Sequence, residues 1–182
     1  RARLHNLIHQ PSHSPLAVTH DVFHREIGSF DLQRHYPDAQ VIHYSRRVSA
    51  VDKDAFEKAV RNETRNDPSG YPDFRIRPPG NRAEYVVAEY VEPMAGNERA
   101  MGLDLGGDPA RLAALERTRD SGEPTASGPH AIPQDPGQHP GVAMRLAIHR
   151  RASPRAAVPQ GRQPLLAVSP PPGVGVRLAR VA

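Results

Sequence analysis

Residues 103–129, LDLGGDPARLAALERTRDSGEPTASGP, constrain the fold more than any other stretch of this chain. They read as a short strand, a capped helix, a glycine stop and a turn of small residues. Asp108 is placed to cap the helix, Pro109 takes the favoured first position, and Gly122 supplies a left-handed C-terminal residue. Leu112 and Leu115 mark the buried side. Upstream, Met101, Leu103 and Leu105 alternate with Gly102 and Asp104, which predicts a strand with one apolar face. An acid inside that strand is costly unless something pairs with it.

The rest of the chain fits around this unit. Thr19 caps a predicted helix whose apolar stripe is Val22, Phe23, Ile27 and Phe30. Residues 41–48 read as a strand and 52–63 as a helix with Phe56, Ala59 and Val60 facing inward. Tyr36-Pro37-Asp38, residues 66–70 and Pro78-Pro79-Gly80-Asn81 are turn or loop chemistry. Residues 74–77 form a short strand, and 85–91, rich in Val and Tyr, the strongest one. Val142, Met144, Leu146 and Ile148 alternate as the apolar face of a last strand whose other face carries Arg145. This order predicts an α+β domain, helices packed on an antiparallel sheet.

With 182 residues, 37% of them hydrophobic, the chain fits one domain, or one domain with a tail, while 20 prolines make it loop-rich. Aromatics are 5% and Trp is absent, so the core is expected to rest on Val, Leu, Ile and Ala. The net charge of +4 is unevenly spread. Residues 136–182 carry seven Arg and no acid, which leaves −3 for the remainder (4 − 7). The basic segment is arginine-only and lacks interleaved aromatics, so a solvated tail is the better account than a nucleic-acid surface. There is no Cys, which suits either redox compartment. No apolar run approaches the ~20 residues of a membrane helix, and no signal-peptide pattern starts at Arg1.

Together with AEYVVAEYVEPMAGNERAMG just upstream, the 103–129 stretch resembles the CHASE domain, the extracellular ligand-sensing module of cytokinin-receptor histidine kinases and many bacterial signalling proteins. The likeness runs from about 18 to 148. FDLQRHYPDAQVIHYSRRVSAVDKDAFEKAVRNE is similar to the family's early helix, strand and second helix, and GYPDFRIRPPG to a central strand. Residues 1–17 are then an N-terminal extension or partial stalk helix, 18–151 the sensor domain, and 152–182 a Pro/Arg/Ala-rich segment. That last segment is expected to be mostly irregular, with a strand near 174–178; it keeps only an echo of the family's closing strand and helix.

The resemblance implies a PAS-like antiparallel sheet with flanking helices and an N-terminal helix. It implies a periplasmic or extracellular sensor, a small-molecule ligand, a homodimer, and membrane helices flanking the domain. A histidine kinase or cyclic-nucleotide enzyme would be the output, elsewhere in the receptor. In the plant receptors an Asp on a pocket strand bonds the adenine ring of the hormone; Asp104 aligns with it, and a main-chain contact falls at Ala126. Tyr90 and Met144 complete the expected ligand-binding set, although a mid-strand tyrosine is more often core or sheet surface. The competing reading of Asp104 is that it pairs with an Arg or stabilises the turn before Gly106-Gly107.

Other chemistries find less support. His20 and His24, four apart on a helix, form no HExxH and have no third ligand at motif spacing, so they read as a solvated pair. His5, His9 and His13 share the spacing, but Pro11 interrupts the helix they need. Gly102, Gly106 and Gly107 are no dinucleotide fingerprint, and Ser127 has no nucleophile elbow. No cofactor, metal or nucleic-acid partner is expected. The alternatives to a sensor are a metal-dependent enzyme using the N-terminal histidines and a nucleic-acid binder acting through the basic tail.

Overall fold

The computed structural model describes residues 18–29, 31–37, 39–67, 70–131, 140–147 and 165–169. Helices α1 (His20–Gly28) and α2 (Leu32–His35) precede strand β1 (Val41–Ser49), helix α3 (Lys53–Glu63) and strand β2 (Glu84–Glu92). Helix α4 (Pro109–Ser121) follows, then short strands β3 (Thr125–Ala126), β4 (His130–Ala131), β5 (Pro140–Gly141), β6 (Met144–Ala147) and β7 (Leu165–Ser169). Five strands form one antiparallel sheet in the order β2-β1-β7-β6-β3, and β4 pairs with β5 apart from it.

Helices α1 and α4 start where the sequence says they should. Thr19 Oγ1 accepts from the Val22 amide at 3.4 Å, and Asp108 accepts from the Arg111 amide at 2.9 Å with Pro109 behind it. Gly122 ends α4 with φ of 70°, a conformation that costs glycine least. Phe30, Asp38 and the histidines of 1–17 lie outside the described residues.

A bulge in β2 sets the two faces of the sheet. Tyr44 pairs with Tyr90 but Ser45 pairs with Ala88, so Glu89 is the extra residue. The odd-numbered Tyr85 and Val87 therefore share a face with the even-numbered Tyr90. Under α1 and α3 that face packs Phe23, Ile27, Tyr44, Tyr90 and Val60 with Phe74 and Tyr71 from the following loop. The opposite face receives α4, where Leu115 meets Val86, Leu105 and Ala147.

The core is built largely of Val, Leu, Ile and Ala, as expected, and four of the five tyrosines are buried among them. Other expectations are corrected. Ala59 is exposed, α3 meeting the core through Val60 and the half-buried Phe56. Residues 74–77 form no strand of their own; Phe74 and Ile76 are buried in a loop that only Arg77 ties to Leu103. The segment with Asp104 is not a strand either. Leu103 makes a single bridge to Arg77 and Asp104 one to Val87 of β2, and Leu105–Gly107 closes as a 3-10 turn, because Gly102 (φ 73°) and Gly106-Gly107 favour turning over extension.

The largest correction is β7. Leu165–Ser169 falls in the 152–182 segment expected to be mostly irregular, yet it sits in the middle of the sheet between β1 and β6. Alternation marks a half-exposed strand, whereas Leu165-Leu166-Ala167-Val168 is a continuous apolar run, the pattern of an inner strand. Residues 174–178 lie outside the described residues.

Candidate functional site

Asp104 is buried, and its carboxylate is held on all sides. Oδ1 accepts from the Val86 and Gly106 amides, each at 3.0 Å, and Oδ2 faces Arg82 Nε at 3.1 Å. The same guanidinium donates to the Gly106 and Gly107 carbonyls at 3.1 and 3.4 Å. Asp104 thus ties the 3-10 turn to β2 and pairs with an Arg, as the competing reading supposed.

Tyr90 lies on the other face. Its ring stacks on Tyr44 with centroids 5.6 Å apart and leans on Phe23, and its hydroxyl donates to Glu63 Oε2 at 3.0 Å. Ala126 and Met144 are cross-strand partners at the far edge of the sheet. Between β2 and β3 there are four strand spacings, roughly 19 Å along the sheet. The structure brings Ala126 and Met144 together, and separates both from Tyr90 and Asp104.

The histidine pair is used locally. His20 Nδ1 lies 3.0 Å from Asp67 Oδ2, and His24 Nδ1 bonds Glu92 Oε1. That bond, aided by the Glu92 charge and opposed by partial burial, raises the His24 pKa. Among the described residues no three His, Asp or Glu side chains are grouped to hold a metal ion.

The unexpected concentration of chemistry is on the α4 face. Arg145 is 2% exposed and Met144 40%, the reverse of the reading from alternation. Ala143 and Ala147 flank Arg145 two residues away on the same face, and their small size leaves room for a long side chain. In register, His43 and Arg145 both pair with Ala167 of β7, and Arg145 also pairs with Thr125, so His43, Arg145 and Thr125 stand in one row. Thr125 donates to the Ala114 carbonyl of α4, which places the row beneath that helix.

Around the row, the buried polar groups are ordered. His43 Nδ1 lies 3.0 Å from Ser45 Oγ. The Ser127 and Ala143 backbones are joined by Ser127 N–H to Ala143 O at 2.9 Å, and the Ala143 amide donates to Ser127 Oγ at 3.0 Å. His130 Nδ1 is 3.1 Å from the same hydroxyl. Arg145 Nη1 reaches the Ala143 carbonyl at 3.5 Å, while its buried Nε has no partner. Burial, together with Arg111 and Arg117, lowers the Arg145 pKa to about 10.

Burial, with Arg145, Arg111 and His130 as further causes, holds His43 at about 3 against an ordinary 6.5. The folded value lies below the unfolded one, so between these limits the unfolded chain binds more protons and stability falls as pH falls. We expect roughly 3 kcal/mol of stability to be lost from this group between pH 7 and pH 4. Urea denaturation across that range should show a slope that His43→Gln flattens; an unchanged slope in the variant contradicts the assignment.

An antiparallel sheet in this strand order, with helices on both faces, defines a PAS-like α+β domain. The chain matches the family model described as CHASE domain over residues 17–169, most of its length, and belongs to that family. It is a sensory rather than a catalytic domain, of the extracellular kind found in signalling receptors. No curated protein matches it. Among the described residues no helix is long and apolar enough to cross a membrane.

Proposed function

We propose that this chain senses a small molecule on the α4 face of its sheet, as the extracellular or periplasmic domain of a membrane-bound receptor. The observation that carries the reading is a buried cation, Arg145, left beneath α4 without an ion-pair partner among the described residues. Beneath α1 the buried charges are paired, Glu89 with Arg46, Glu92 with His24 and His20 with Asp67. Beneath α4 the sheet buries His43, Ser45, Ser127 and Arg145. Buried polar groups weaken a fold unless they are satisfied, and a ligand supplies partners that packing does not.

Binding would favour one packing of α4 on the sheet, and the change would pass along β1 and α1 toward flanking membrane helices, in a homodimer. A ligand moves such an equilibrium only by its differential affinity for the two states. In the adenine-type reading, a ring N–H would compete with Arg82 for Asp104, so adenine derivatives belong among the compounds tried. The test is a thermal-shift screen of the purified chain against adenine derivatives, amino acids and organic acids. A ligand at 100 times its dissociation constant adds about 2.7 kcal/mol, roughly 5–10 °C for a chain of this size. A cooperative melt that no compound class moves would contradict the sensor reading.

A further inference from the structure

We infer that the α4 face holds the oxyanion of a small molecule, a carboxylate or phosphate group, with Arg145 as its anchor. This deepens the sensor reading and rests on it.

Arg145 is the exception among the buried charges. Asp104 pairs with Arg82, Glu89 with Arg46 at 2.6 Å, and Glu92 with His24. No carboxylate among the described residues lies within ion-pair distance of Arg145. A guanidinium carries five donors in a rigid fork. Here one of them makes a long bond to a carbonyl, and the buried Nε makes none. Leaving a buried cation in this condition is costly, and a carboxylate or phosphate accepting two parallel N–H bonds removes the cost.

The surroundings select the sign of the ligand. Arg111 and Arg117 of α4 add positive potential at Arg145, and the opposing acid, Asp108, already accepts the Arg111 amide as the helix cap. Arg111 stands in the first turn of a 13-residue helix, whose N-terminal end itself attracts anions. Burial, together with Arg111 and Arg145, favours the neutral forms of His43 and His130. A metal ion would be repelled by this set. A nucleic-acid backbone could not reach a side chain that is 2% exposed. A small anion fits both constraints.

The design detail is at Ala143. Its carbonyl accepts from Arg145 and from the Ser127 amide, so the anchor is fastened to the segment that also carries His130. Closing Arg145 on an anion would therefore pull on residues 127–130 and on β6 together.

The experiment measures melting of the full 182-residue chain in an amine–amine hydrochloride buffer, at constant ionic strength, with sodium phosphate or sodium succinate replacing sodium chloride. Wild type, Arg145→Met and Arg145→Lys are compared. The expected result is a saturable rise of several degrees with one or both anions, absent in Arg145→Met and reduced in Arg145→Lys. Phosphate and succinate arms tell the two oxyanions apart. In chloride alone Arg145→Met should melt no lower than wild type, because it removes an unpaired buried charge. A fall of several degrees there would make Arg145 a structural residue and overturn the inference. So would a wild-type response no larger than that to chloride. If a neutral compound from the screen stabilises wild type and Arg145→Met equally, the anion inference fails while the sensor reading stands.

Discussion

Asp104→Ala should destabilise the chain by about 3–5 kcal/mol, since it strands two buried amides and leaves a guanidinium without its partner. The Val86 and Gly106 amides both rely on Oδ1, and Arg82 on Oδ2. Asp104→Asn should cost less, about 2 kcal/mol, because an amide oxygen still accepts where Oδ1 stands, while the amide NH2 at Oδ2 deprives the partly exposed Arg82 of its acceptor. Urea denaturation of both variants separates the cases. Equal losses would mean that the charge, not the acceptor, secures the turn. The distinction matters for function too: a ligand test based on the Ala variant would confuse unfolding with lost recognition, whereas the Asn variant keeps the 3-10 turn.

The second large effect is expected at Tyr90. Its ring fills the space between Tyr44, Phe23 and His20, and its hydroxyl reaches Glu63 on α3. Tyr90→Ala removes most of that volume, and truncating a buried aromatic costs about 3–5 kcal/mol. Tyr90→Phe keeps the ring and loses one hydrogen bond, about 1 kcal/mol. Since a domain of this kind has only about 5–15 kcal/mol in hand, the Ala variant should approach unfolding at 37 °C. A Tyr90→Ala protein that melts like wild type, and loses only ligand response, would instead make Tyr90 a recognition residue.

What the sequence made legible was local. Thr19, Asp108, Pro109 and Gly122 announce helix ends through chemistry that needs no tertiary context, and each acts as read. The alternatives for Asp104 were also legible, because a carboxylate before Gly-Gly invites a turn. What escaped was set by distant contacts. The Glu89 bulge changes which face Tyr90 occupies, and nothing in EYVVAEYVE marks it. Alternation in Met144-Arg145-Leu146-Ala147 points Met144 and Leu146 inward, the opposite of what the fold does. Only the pairing with β7 and the cover of α4 decide that Arg145 turns inward. A usable hint was present: alanines on both sides of Arg145 at two-residue spacing, the small residues that a buried long side chain needs.

β7 shows the same limit from another direction. An apolar pentapeptide beyond a Pro- and Arg-rich stretch carries little signal alone, since its value lies in two neighbours far away in sequence. Placing it between β1 and β6 joins the α1 side of the domain to the strand that bears Arg145. The sheet is therefore continuous from β2 to β3, and a displacement at β6 has a path to β1.

The most direct test of the account is amide hydrogen exchange, with and without the compound that gives the largest thermal shift. Slower exchange is expected in β6, residues 127–130 and the first turns of α4, with smaller changes in β1. Protection confined to α1 and β2, or binding that leaves the α4 face exchanging as before, would contradict it.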